Sequence, residues 1–172
     1  MLGLPSRQLR LLAYEPNWSQ LFLAEKEQLC ASLGNHLLDI QHIGSTSIPG
    51  MPAKPILDIG VAVINFEAAA VCIPLLAQLS YSHKGENGIA RRHYFVKGNP
   101  RTHHLHMLEV ASEEWKNHLL FRDYLRRNPK TAGAYARLKQ QLATRFAADR
   151  EAYQIGKESF IQAVLQRANE QG

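Results

Sequence analysis

With 172 residues and a formal charge of +5 before its eight histidines are counted, the chain is sized for one domain rather than two independent cores. Hydrophobic residues make up 45% and charged residues 20%, which excludes a disordered polyelectrolyte; the mild positive charge points to a polyanionic ligand without demanding nucleic acid. Cys30 and Cys72 have no CxxC spacing, so no disulfide framework is expected, and the apolar stretches 61–64 and 68–77 fall short of the roughly 20 residues that cross a bilayer. No signal-like apolar run opens the sequence, and a reducing cytoplasm is the expected compartment.

In chain order, residues 16–33 carry Trp18, Leu21, Phe22, Leu29 and Leu33 at three- and four-residue steps, predicting a helix that begins at Pro16 and stops at Gly34. Residues 37–43 read as a short strand that enters a Gly/Pro/Ser-rich loop over 44–55. The apolar run 55–64, PILDIGVAVI, reads as a strand buried on both faces and broken only by Asp58 and Gly60. A helix is expected over 66–79 despite Pro74, then strands over 92–97 and 103–110 joined across the turn Gly98, Asn99, Pro100. From the N-cap Ser112 onward the pattern is helical, with Asn128 and Pro129 starting the second of three helices. Tyr135, Leu138, Leu142 and Phe146 form one stripe, and Phe160, Val164 and Ala168 another; both read as packing. The expected arrangement is a single domain over 1–172, with a mixed sheet and the N-terminal helix in 1–111 and terminal helices in 112–172.

Chemistry concentrates in HIGSTSIPGMPAKPILDIGV, residues 42–61. Gly44 allows close approach of a phosphate, Ser45 and Thr46 offer hydroxyls, and loop amides with Lys54 can cradle an anion. Asp58, inside the following strand, can hold a divalent cation that bridges to phosphate. A Ser/Gly/Pro turn followed by a strand with a hydrogen-bonded Asp is the plainer alternative. Residues 87–108 hold Arg91, Arg92, Lys97, Arg101 and four histidines with no acidic residue, and Arg91 and Arg92 are suited to gripping phosphate. Alternation puts Asp58 with Ile56 and Gly60 on one face of its strand, and His104 and His106 with Leu108 on one face of theirs. If those faces coincide, Asp58, His104 and His106 meet as metal ligands, phosphate contacts or acid/base groups, while Glu109 points away.

The segments HIGSTSIPGMPAKPILDI, ARRHYFVKG, RTHHLHMLE, FRDYLRRNP, YARLK and YQIGKESFI, in that order over about residues 14–168, resemble the GrpB-like family of bacterial proteins. The resemblance implies the nucleotidyltransferase fold, an α+β or α/β mixed sheet with helices. Its hallmark is a Gly-Ser pair followed, on the next strand, by Asp-x-Asp or Asp-x-Glu. Gly44, Ser45 and Asp58 match that hallmark, whereas Gly60 stands where the second metal-binding carboxylate is expected. The leading expectation is therefore a protein that binds a nucleoside triphosphate or related phosphorylated ligand through Gly44, Ser45, Thr46, Lys54, Arg91 and Arg92. Nucleotidyl transfer would use Asp58, His104 and His106 with magnesium, manganese or zinc. The alternatives are a degenerate anion-binding accessory module, which Gly60 favours, and a metal-dependent hydrolase using Asp58, His104, His106 and His42. RNA is a further partner class, compatible with the basic residues though no RNA-recognition motif is visible. Some family members carry the label dephospho-CoA kinase, but this sequence has no P-loop of the form GxxxxGK followed by Ser or Thr.

Overall fold

A computed structural model describes residues 1–5 and 8–171. The first helix, α1 (Asn17–Leu33), buries Trp18, Phe22, Glu25, Leu29 and Leu33, one stripe at three- and four-residue steps. Gly34 ends it at φ 51°, a conformation costly for other residues. Strand β1 (Asp39–Ile43) follows, then the loop containing a 3-10 turn at Ser45–Ser47, then β2 (Leu57–Val63). Helix α2 (Cys72–Gln78), β3 (Tyr81–His83), β4 (His93–Lys97) and β5 (His103–Glu109) complete the α/β part. The C-terminal helices are α3 (Glu113–Arg127), α4 (Pro129–Arg145) and α5 (Arg150–Glu170). Ser112 Oγ accepts the Trp115 amide at 3.2 Å to cap α3, and Pro129 sits in the first turn of α4.

The five strands lie in the order β1-β2-β5-β4-β3, with only β2 and β5 parallel. Asp58 pairs with His104 and Gly60 with His106 across that parallel ladder, so all four share one face. The opposite face carries Leu57, Ile59, Val61, Leu105, Met107 and Phe95, packed against α1 and α2 as the main core. On the Asp58 face, Trp115 of α3 packs on Ala62 and Leu108. Beyond it, α3, α4 and α5 share a second apolar cluster with Ile48 and Met51 of the loop, including Tyr124, Tyr135 and Val164. The fold is thus a mixed α+β sheet with helices on both faces. No helix of the described residues is long and apolar enough to cross a membrane.

Three local expectations differ. The helix expected from Phe66 begins only as a 3-10 turn at Ala68–Val71 leading into α2. Phe66 is held outside it, its amide bound to Glu109 Oε1 at 3.0 Å and its carbonyl to His93 Nε2 at 2.8 Å, while Asn65 Oδ1 accepts the Ala68 amide. The three-residue β3 is too short to announce itself by alternation and is made by pairing with β4. The first strand starts at Asp39, although the Leu38 amide already donates to Ala62 O at 2.8 Å.

Candidate functional site

A cavity of about 700 Å³ opens between the Asp58 face of the sheet and helices α3, α4 and α5. Its floor is Gly44, Ser45, Thr46, Asp58, Tyr94, His104 and His106. Gly44 has φ 68°, and a Cβ there would lie 2.6 Å from Asp58 Oδ2, so the turn comes this close to the carboxylate only because it is glycine. The 3-10 turn is braced by Ser47 Oγ donating to Gly44 O at 2.6 Å. Arg126 of α3 donates to Ser47 O at 2.6 and 3.0 Å, and Arg122 donates to His42 O at 3.0 Å, tying the turn to the helical layer.

Asp58 Oδ1 lies 3.2 Å from His104 Nδ1 and 3.5 Å from His106 Nε2. Burial pushes the Asp58 carboxyl up, but the two imidazoles outweigh it and hold the group ionised, well below the usual carboxylate range. An ionised carboxylate only accepts, so His104 presents Nδ1–H to it; in the neutral ring Nε2 is then the lone-pair acceptor. That Nε2 is buried without a partner. For His106 the tautomer follows from Arg92, whose Nη1 lies 3.2 Å from His106 Nδ1 and can only donate, which places the ring proton on Nε2 toward Asp58. Burial takes His106 down to about 4, so this ring is neutral at pH 7.

The other wall is basic. Lys139 of α4, only 1% exposed, donates to Ser45 Oγ at 2.8 Å and to Pro52 O. Lys157 of α5 sits 4.5 Å above the Tyr153 ring, and Lys54, from the loop before β2, lies 5.6 Å from the same ring. Burial lowers Lys139 and Lys157 to about 7, helped by Lys157 and Lys54 for the first and by Lys54 for the second, and burial lowers Lys54 as well; Asp58 opposes all three shifts without cancelling them. At the far end, Glu114 Oε1 of α3 lies 3.3 Å from His118 Nε2.

Of the residues singled out in the sequence, Gly44, Ser45, Thr46, Lys54, Asp58, Arg92, His104 and His106 all line this cleft. Arg91 does not. It stands at φ 60° on the far side of the sheet edge, bidentate to Glu67 at 2.9 and 3.0 Å and bound to Glu109 at 2.7 Å, so it is a surface clamp and not part of a phosphate grip. Arg92 is inside, but its donors already serve Glu86 O, Asn87 O and His106, and it holds the turn before β4 more than it offers free N–H groups. Thr46 Oγ1 is spent on His42 Nε2 at 2.9 Å. His42 itself stacks on Phe22 of α1 at 4.7 Å between centroids, on the core side, and cannot join Asp58 as a ligand. Glu109 points away from Asp58, as alternation requires.

Sequence reasoning missed Lys139, Lys157, Tyr135 and Tyr153 as cleft residues. A signal was present: Tyr135 and Lys139, and Tyr153 and Lys157, each stand four apart on one helix face. An aromatic stripe read as packing conceals a lysine carried beside it.

A resident metal is not a good match to these donors. The expected ligands Asp58, His104 and His106 do meet, with both imidazoles pointing a ring nitrogen at the same carboxylate oxygen, His104 hydrogen-bonded to it at 3.2 Å and His106 Nε2 3.5 Å away without a hydrogen-bond partner. Among the described residues no group of three or more His, Cys, Asp or Glu side chains is arranged to hold a metal ion. The position of the missing carboxylate is also closed: a Cβ on Gly60 would lie 3.0 Å from Trp115 Cζ3 and 3.4 Å from Ile43 Cγ2.

A family model described as GrpB protein matches residues 8–167. The chain belongs to the GrpB family. Among its relatives, the UPF0157 protein YqkA of Bacillus subtilis is 44% identical over 165 residues, covering 95% of this chain and 48% of YqkA, so the chain spans about half the length of that relative. The crystal structure of the conserved protein GrpB from Enterococcus faecalis superposes with a TM-score of 0.88 at 35% identity, covering 94% of this chain and 98% of that one. Terminal uridylyl transferase 4 from Trypanosoma brucei, with bound dUTP, matches at a TM-score of 0.56 and 12% identity over 91% of this chain and 56% of its own. At that identity the likeness is one of fold alone: this chain shares a nucleotidyltransferase-like architecture.

Proposed function

We propose that this GrpB protein binds a nucleoside triphosphate or a related phosphorylated ligand in the cleft between the sheet and α3–α5. The observation that carries the reading is the convergence of Lys54, Lys139 and Lys157, from three separate elements, on the glycine turn beside Asp58. None of the three closes an ion pair with a carboxylate among the described residues. Lys139 is buried and Lys54 and Lys157 are half-buried, with Asp58 the one carboxylate whose field favours all three charges; crowding cations in this way is costly, and a polyphosphate offsets that cost. The Gly44–Ser47 turn supplies the close backbone approach, and Ser45 links it to Lys139.

The reaction this arrangement favours is nucleotidyl transfer to a hydroxyl. The acceptor oxygen attacks the α-phosphorus, its proton passes to Nε2 of His104, and the bond to pyrophosphate breaks, the leaving pyrophosphate remaining among the lysines. Asp58 orients His104 and stabilises the imidazolium that forms. A second reading, binding without turnover, is favoured by the closed position at Gly60, where Trp115 and Ile43 occupy the space of the carboxylate that the fold's hallmark carries.

A thermal-shift screen of nucleoside triphosphates, CoA-type metabolites and inorganic polyphosphates tests the binding, since a ligand selective for the native state raises its apparent stability. Incubation of the hit, labelled at its α-phosphate, with hydroxyl acceptors including RNA then separates the two readings. Transfer of label that is lost in His104→Ala supports the reaction, whereas tight binding without transfer supports the accessory module. Absence of any shift across the screen refutes the proposal.

A further inference from the structure

The donor set that fails to suit a metal has a consequence for the form in which the ligand arrives. We infer that the cleft takes its multiply charged phosphate ligand as the free polyanion, with lysine ammonium groups doing the neutralising that a divalent cation does elsewhere. This rests on the phosphate-binding reading above and goes beyond it.

The first ground is steric. A magnesium ion shared between protein and phosphate asks for one or two carboxylates at near-octahedral geometry. Gly60, on the same strand face as Asp58, has Trp115 Cζ3 at 3.0 Å and Ile43 Cγ2 at 3.4 Å from any Cβ, and both side chains are almost wholly buried. A second carboxylate cannot be accommodated there without moving the packing of α3 on the sheet.

The second ground is the crowding of Asp58, the carboxylate beside the glycine turn. Asp58 Oδ1 is shared by the His104 and His106 rings, and Oδ2 faces the Gly44 backbone at a separation that admits no Cβ. The remaining acidic residues in the cleft are Glu114, 3.3 Å from His118 at the far end, and Glu158, which is exposed.

The third ground is electrostatic. Lys54, Lys139 and Lys157 approach Asp58 from the loop, from α4 and from α5, and their fields reach one another. A divalent cation placed at Asp58 adds to that repulsion, whereas three or four phosphate charges relieve it. The tyrosine rings of Tyr135 and Tyr153, 5.0 and 4.5 Å from the ammonium groups of Lys139 and Lys157, keep the lysine stems in place without neutralising them.

Calorimetric titration of the full chain with inorganic tripolyphosphate and with ATP decides the point, at one pH and one ionic strength, in EDTA and again in excess magnesium. Binding is expected in EDTA, with apparent affinity falling about tenfold or more as magnesium removes the free polyanion from solution. Affinity that is unchanged or higher in magnesium overturns the inference and leaves phosphate binding standing. No binding of either probe in either buffer overturns both. Asp58→Asn gives an independent reading: the free-polyanion site keeps or gains affinity when a negative charge is removed, and a folded Asp58→Asn protein that no longer binds tripolyphosphate refutes the inference. Where that variant does not fold, the magnesium titration of the native chain still decides.

Discussion

Each face of the sheet holds a lysine against a tyrosine ring, and the two lysines are treated in opposite ways. On the α1 face, Lys97 Nζ lies 5.1 Å from the Tyr81 ring centroid and 2.7 Å from Glu25 Oε1, which also accepts the Tyr81 hydroxyl at 2.9 Å. His103 Nε2 stands 3.8 Å from the other oxygen of Glu25. That network is closed: each charge has a partner from another element, and its effect is to lock α1 onto β3, β4 and β5. On the Asp58 face, Lys157 sits 4.5 Å above Tyr153 with Lys54 and Lys139 as neighbours and no paired carboxylate. The paired charge ties elements together, whereas lysines with no bonded carboxylate beside a cavity support the proposed phosphate binding.

The strongest way to break this contrast is to open the closed network. Glu25→Ala leaves Lys97 and the Tyr81 hydroxyl without their acceptor inside the core side of the sheet, and should cost about 3 kcal/mol or more in urea unfolding. Replacing Lys157 and Lys139 by Met should do the reverse, leaving the ligand-free fold as stable or more stable while reducing tripolyphosphate affinity by at least about tenfold in calorimetry. If Glu25→Ala and the double Met variant destabilise alike, the lysines are structural and the contrast fails.

The same lysines set a pH signature. Both have an ordinary value of 10.5 and are lowered to about 7 in the fold, chiefly by burial and further by neighbouring lysines. Between about pH 7 and 10.5 the unfolded chain therefore binds more protons than the native one, so ligand-free stability contributed by these groups rises with pH across that window. Denaturant midpoints at pH 7 and pH 9 should show this rise in the native sequence and a flatter response in the double Met variant.

A smaller effect is expected at Gly60. Gly60→Asp should destabilise by about 1 to 3 kcal/mol, the range for overpacking, and should not create magnesium binding, because Trp115 and Ile43 hold the space. Smallest of all, Arg91→Ala should leave polyphosphate affinity unchanged, since its guanidinium serves Glu67 and Glu109 outside the cleft.

Local and alternating patterns were enough for much of the fold. The apolar stripe of α1 and the shared face of His104 and His106 follow from periods of 3.6 and 2 along one segment, and the Gly34 stop, the Ser112 cap and the Gly44–Ser45 turn before a half-buried Asp58 follow from residue types suited to caps and turns. The order β1-β2-β5-β4-β3 was not legible in this way, nor was the three-residue β3, because pairing partners far apart in sequence decide them.

The sequence by itself determined which residue types stand on which face of each strand and helix, because side-chain direction is set by backbone geometry within a few residues. Only the tertiary structure decided which faces meet. Arg91, two residues from β4 in the most basic stretch of the chain, is neutralised by Glu67 and Glu109, while neighbouring Arg92 turns inward to His106. Lys139 and Lys157, far along helices that read as packing, arrive beside Ser45 and Asp58. Burial and Coulomb interactions depend on distance through space, so the cationic wall facing Asp58 is completed by lysines of α4 and α5, while Arg91 of the arginine-rich segment stays outside the cleft.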